Sequence, residues 1–194
     1  MKVGWAVSLI GTIIVATGCA TRPETPTSRN ELSNKVNRAV AQFRATDPSI
    51  EEYFETAYAY AVLPEVTKGA VMVGGAFGRG EVFARGTKVG YCSMTQASLG
   101  FSFGGQYFRE VIFFEDKEAF DLFSMGQFTM SAQVTAVVLK SGSADRAAYN
   151  FGLAVFVAAD KGLMVDASVG GQQFEYEPAF VIRYEPLAPL PPSR

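Results

Sequence analysis

SLGFSFGGQYFREVIFF, residues 98–114, decides how the chain folds. Read with period two, Leu99, Phe101 and Phe103 share one face of a strand, while Gly100, Ser102 and Gly104 share the other. One face is bulky and the opposite face nearly bare. Paired glycines inside a strand weaken its pairing and mark a bulge, a sheet corner or a close approach to the backbone. The spacing of Ser102, Gly104, Gly105, Gln106 and Phe108 recurs at Ser168, Gly170, Gly171, Gln172 and Phe174, and Val73, Gly74, Gly75, Ala76 and Phe77 form a looser third copy. Three strands are therefore expected to bend at a double glycine. Either the bends curl an antiparallel sheet around a groove that admits an acyl chain, or they only let the sheet coil tightly or accept a helix. The second cause is the commoner one.

At 194 residues the chain is long enough for one domain with a full core. Its 16 phenylalanines and 19% charged residues exclude a disordered chain, and a net charge of −2 gives no basic excess for nucleic acid. There is no histidine, which removes the usual general base, the Ser/His and Cys/His catalytic pairs and the commonest metal ligand. No metal and no cofactor is expected.

Residues 1–18 place Lys2 before an apolar run and end in small residues, the pattern of a secretion signal. Ala16, Thr17, Gly18 and Cys19 resemble the lipobox of bacterial lipoproteins, so Cys19 is the expected lipidation site. Ala20 after it points to outer-membrane sorting on the periplasmic side. Cys92 then has no disulfide partner and reads as a buried thiol. Residues 19–30, rich in Thr, Ser and Pro, read as a flexible tether, and residues 186–194 as a proline-rich tail. Between them, residues 31–185 form the folded domain. Leu32, Val36, Ala39, Val40 and Phe43 give a helical stripe from residue 31, with Lys35, Arg38 and Arg44 on its other sides. A second helix is expected to carry Tyr53, Ala57, Tyr60 and Ala61 as far as Pro64. Strands follow at 69–77, 80–85, 88–95 and 98–114, with a tight turn around Gly86 and Thr87. A short helix is capped by Asp116, residues 131–139 fit either strand or helix, and strands are expected at 149–157, 163–176 and 180–184. Short connections imply antiparallel pairing, not a doubly wound nucleotide fold.

Three stretches, LPEVTKGAVMVGGAFGRG at 63–80, SLGFSFGGQYFREVIFF at 98–114 and AVFVAADKGLMVDASVGGQQF at 154–174, resemble the SYLF domain, a lipid-binding family. The resemblance covers roughly residues 31–178. It implies an α+β fold in which N-terminal and inserted helices pack on a curved, barrel-like antiparallel sheet, and it implies binding of membrane phospholipid.

The leading functional expectation is a non-catalytic, lipid-anchored envelope protein whose domain binds phospholipid. Lys68, Arg79, Arg85 and Lys88 are the candidate headgroup contacts, and Gly104, Gly105, Gly170 and Gly171 the candidate groove walls. The alternative is a structural or scaffolding lipoprotein that binds envelope protein partners. An enzyme would need a carboxylate pair drawn from Glu110, Asp166 and Glu175, for which solvated or salt-bridged side chains are the commoner reading.

Overall fold

Thr25 starts the first helix with a reciprocal cap. Its hydroxyl accepts from the Ser28 amide at 3.1 Å, while the Ser28 hydroxyl accepts from the Thr25 amide at 3.2 Å. Pro26, which has no amide proton to satisfy, takes the first helical position. The computed structural model describes residues 21–126, 129–130, 136–161 and 164–180. In it helix α1 spans Pro26–Thr46 and buries Leu32, Val36, Ala39 and Phe43, most of the stripe read from the sequence. The helix begins inside the expected tether, so that segment is structured over the described residues 21–30.

A single 3-10 turn at Pro48–Ile50 leads into α2, Glu51–Thr56. The second helix is thus shorter than expected. Tyr60 and Ala61 already belong to strand β1, Ala59–Ala84, which passes through Pro64 by a register shift between Leu63 and Val66. A bulge is one of the few places where a strand tolerates proline. The separately expected strands 69–77 and 80–85 are parts of β1, and those at 88–95 and 98–114 merge into β2, Thr87–Phe114. The hairpin turn falls at Arg85 and Gly86, with φ of 50° and 73°, one residue earlier than read. Two positive φ values match the twist of a two-residue hairpin.

Helix α3, Lys117–Ser124, is capped by Asp116, whose carboxylate accepts from the Ala119 amide at 2.9 Å. Short strands β3, Thr129–Met130, and β4, Val137–Val138, precede β5, Leu153–Lys161, and β6, Met164–Pro178. The strand expected from Tyr149 starts only at Leu153, because Phe151 and Gly152 turn at φ 53° and 75°. The signal segment, Cys19, most of the expected 131–139 element, residues 181–184 and the tail lie outside the described residues.

β2 is the spine of a six-stranded sheet. β1 pairs along one edge for its whole length, while β5 covers 107–114 and β6 covers 90–104 of the other edge. The sheet is mixed, not wholly antiparallel, because β4 runs parallel to β5. It is also open: α+β holds, but barrel closure does not. The reason lies in how β1 doubles back. A Cβ placed on Gly80 would collide with the Val62 carbonyl and come within 3.0 Å of the Cys92 sulfur, and one on Gly78 would lie 2.7 Å from Val66 Cγ2. The two halves of β1 therefore meet by backbone packing, not by a hydrogen-bonded ladder that would close the ring. Between those contacts Gly69 and Ala70 lie opposite Gly105 and Gly104, while Gly74 and Gly75 lie opposite Ser98 and Ala97, which in turn face Gly170 and Gly171 on β6. The copies at Gly74–Gly75 and Gly170–Gly171 thus stand in register on either side of β2, whereas Gly104 and Gly105 fall farther along the strand, opposite Ala70 and Gly69.

The fold-over creates two apolar layers. The outer layer packs α1, Ile50 and Tyr53 on Val62, Tyr91, Val111, Phe113 and Phe156. Phe113 lies edge-on to Phe54 at 4.9 Å and 5.4 Å from Tyr53, contacts worth about 0.5–1.5 kcal/mol each beyond their buried area. The inner layer packs Leu63, Met94, Ile112, Phe114 and Phe174 with Phe123 of α3, all fully or almost fully buried. Along these residues the interior is filled by side chains, whereas the acyl groove expected at the double glycines falls on residues whose side chains lie outside the described ones.

Candidate functional site

One open groove lies on the outer face, between α1 and the part of β1 around Pro64 and Gly78. A groove of about 320 Å³ is walled by Pro23, Leu32, Pro64 and Phe77 and carries Lys35 and Arg79. It continues past Lys35, Pro64 and Glu65 into a second hollow of about 220 Å³, where Arg38 and Arg109 stand. Four cations face two carboxylates, Glu31 and Glu65, along the combined groove. The Lys35–Glu65 pair is 3.0 Å long and about half exposed on both sides, so it holds neither group firmly. The Arg79 guanidinium lies 5.5 Å from the Phe77 ring centre, at the range of a cation–π contact. Gly78 forms part of the groove lining where β1 doubles back, and a side chain there would press on Val66 and Glu65.

One end of the groove is set by the residues before α1. The Thr21 hydroxyl meets the Ser93 hydroxyl at 3.1 Å and donates to Glu175 Oε2 at 3.2 Å, and the Arg22 amide donates to Glu177 at 3.2 Å. The Arg22 guanidinium sits 5.7 Å from the Tyr91 ring centre. This strap pins Pro23 to the sheet, two residues after Thr21 and four after Cys19.

Of the four cations singled out in the sequence, the groove takes only Arg79. Lys88 donates to Glu81 Oε1 at 2.9 Å and to the Ser33 hydroxyl at 3.3 Å beneath α1. Burial pulls its pKa down, but the Glu81 carboxylate outweighs this and holds it above the ordinary value. Arg85 is in the hairpin turn, 5.6 Å from the Tyr58 ring centre, beside a different hollow with Phe54 and Glu115. Lys68 is opposite Gln106 on the inner face and does not line the groove. Gly104, Gly105, Gly170 and Gly171 sit in the rows where the sheet folds over. Lys35, Arg38 and Arg109 were the groove cations that the candidate set missed. The basic flanks of the α1 stripe were the signal for the first two, while Arg109 sits in an otherwise bulky strand.

Glu110 and Glu175 do not meet: Glu110 is fully buried on the inner face, and Glu175 accepts from Thr21 on the outer face, while the side chain of Asp166 lies outside the described ones. Burial raises the Cys92 thiol pKa far above its ordinary range, which suits an inert core group. Among the described residues no three His, Cys, Asp or Glu side chains gather as metal ligands, and no helix is long and apolar enough to cross a membrane.

Fold and groove together define an α+β protein on an open, doubled-over sheet with a cation-lined groove beside its N-terminal strap. No protein-family model matches the chain. It is similar to "Beta cell expansion factor A" of Aeromonas veronii, with 31% identity over 148 residues, covering 76% of this chain and 56% of that protein. The chain thus spans little more than half the length of that curated relative.

Proposed function

We propose that this chain is a lipid-anchored bacterial envelope protein with a SYLF-like domain that binds phospholipid without catalysis, at the outer membrane facing the periplasm. The observation that carries the reading is the groove along α1. Its apolar walls and four cations suit the junction of a phosphate headgroup with the first part of an acyl chain, where arginine pairs well with phosphate oxygens. The strap adds a reason for lipid in particular. Acyl chains on Cys19 would start no more than about 7 Å from Thr21, because two residues span at most that length. The groove then opens beside the bilayer surface in which the anchor is held, and multiple acyl chains make that anchoring stable. The glycine rows support the same reading by shaping the doubled-over sheet against which α1 forms the groove.

Flotation of residues 20–194 with vesicles tests it. Anionic vesicles should carry the protein and neutral ones much less of it, and K35E/R79E should lower the bound fraction about tenfold or more, as loss of two charge-assisted contacts implies. Equal flotation of the double variant, or none of either protein, overturns the groove reading. A stoichiometric protein crosslink in the absence of lipid would instead favour the scaffolding role.

A further inference from the structure

Glu110 has no exposed surface. It stands on the inner face of β2, opposite Leu63 on one side and Val157 on the other. Glu110 Oε2 accepts from Gln172 Nε2 at 3.3 Å. The remaining oxygen of each partner, Glu110 Oε1 and Gln172 Oε1, is buried without a hydrogen-bond donor. Two orphaned acceptors on side chains already joined by one hydrogen bond lack a single thing, a donor between them. An ionised carboxylate cannot supply it, but a carboxylic acid can. One proton on Oε1, directed at the Gln172 carbonyl, completes a ring of two antiparallel hydrogen bonds between acid and amide.

We infer that Glu110 is protonated in the folded protein and that its acid–amide pair with Gln172 clasps the two halves of the doubled-over sheet. The bond spans that fold: Gln172 on β6 is paired with Gln96 in the first half of β2, whereas Glu110 belongs to the second half. Burial drives the Glu110 pKa up to about 7 against the lowering pull of the Gln172 amide. Among the described residues the neighbours offer no better partner. Cys92 from the first half of β2 is held as a neutral thiol, and Tyr176 of β6 donates its hydroxyl to the Val89 carbonyl at 3.1 Å. From β1, Glu81 is held by Lys88 and Ser33. Lys68 of β1 shares the inner face by register, opposite Gln106. β5 and α3 contribute Leu153, Val155 and Phe123 to this layer, none of them titratable.

The sign follows from the raised pKa. The clasp's contribution is fully present below the ordinary value of 4.5 and is lost as pH rises through about 7. Glu110→Gln replaces the acid with an amide that makes the same two bonds and does not titrate. Thermal unfolding of the full chain at about pH 5 and about pH 8 should therefore show a drop for the native protein that the variant lacks, of roughly 5–10 °C. Infrared spectra supply a readout independent of the variant's folding. The native protein at about pH 6 should show the carbonyl band of a neutral carboxylic acid, when ordinary carboxyls are ionised, fading as pH rises through 7. Gln172→Leu should shift that band to higher frequency. Absence of the band, or equal pH dependence in native protein and Glu110→Gln, overturns the inference.

Discussion

Asp47 shows how much one side chain can hold. It is buried at the end of α1, and Oδ1 accepts from the Ser49 amide and hydroxyl at 3.2 and 2.7 Å. Oδ2 accepts from the Ser143 and Ala144 amides, each at 2.8 Å, across almost a hundred residues of chain. Burial alone would raise its pKa, but the Ala144 amide, the Ser49 hydroxyl and further backbone donors outweigh it and hold the carboxyl far below the usual range. A depressed pKa means stability that is present above the unfolded value of 3.8 and lost as pH falls below it toward the folded pKa. Asp47→Ala, which strands those buried amides, should cost about 2–4 kcal/mol in urea unfolding at neutral pH. The gap to the native protein should narrow in acid. Asp47 and Glu110 are both buried carboxyls with opposite perturbations, because one faces five donors, the Ser143 hydroxyl at 3.3 Å included, and the other faces one.

At the scale of elements, α1 is fastened to the sheet by more than its stripe. Glu81, 2% exposed on β1, accepts from Ser33 of α1 at 2.6 Å and from Lys88 of β2 at 2.9 Å. Removing the lysine leaves a buried carboxylate with one neutral partner. Lys88→Met should therefore destabilise the fold by about 3 kcal/mol and speed amide exchange in α1. Flotation of the folded fraction should be unchanged, since Lys88 does not line the groove. The boundary between α2 and β1 was not legible locally. Tyr53, Ala57, Tyr60 and Ala61 fit helical spacing, yet Tyr60 and Ala61 also alternate with their neighbours, and pairing of Tyr60 with Phe113 decides for strand. The 26-residue β1 and 28-residue β2 were equally hidden, since glycines and Pro64 read as breaks when they are bends and a bulge inside continuous strands.

At the scale of the whole molecule, the shape depends on β1 lying against itself. Gly80→Ala puts a methyl into the Val62 carbonyl, with backbone on one side and the Cys92 sulfur on the other, so neither neighbour yields easily. It should cost about 2–3 kcal/mol, whereas Gly86→Ala, which meets nothing within 4 Å but keeps φ at 73°, should cost about 1 kcal/mol. Thermal melts of the two variants compare close approach with backbone strain alone. The α1 stripe, the Asp116 cap, the hairpin and the contrast of bulky and bare faces are legible in the residues alone, because each depends on positions close in sequence, while the α+β class comes with the resemblance of three longer stretches. The glycine pairs at 74–75 and 170–171, which flank the same stretch of β2, are marked in the sequence as well. Long-range packing alone leaves the sheet open, gives Lys88 to Glu81 and brings Arg79 beside Lys35 in the groove. Gln172 and Glu110 are 62 residues apart, and only the doubled-over sheet brings them together. Local periodicity fixes which face is apolar, but the partners of a buried polar group depend on which distant backbone comes to lie over it.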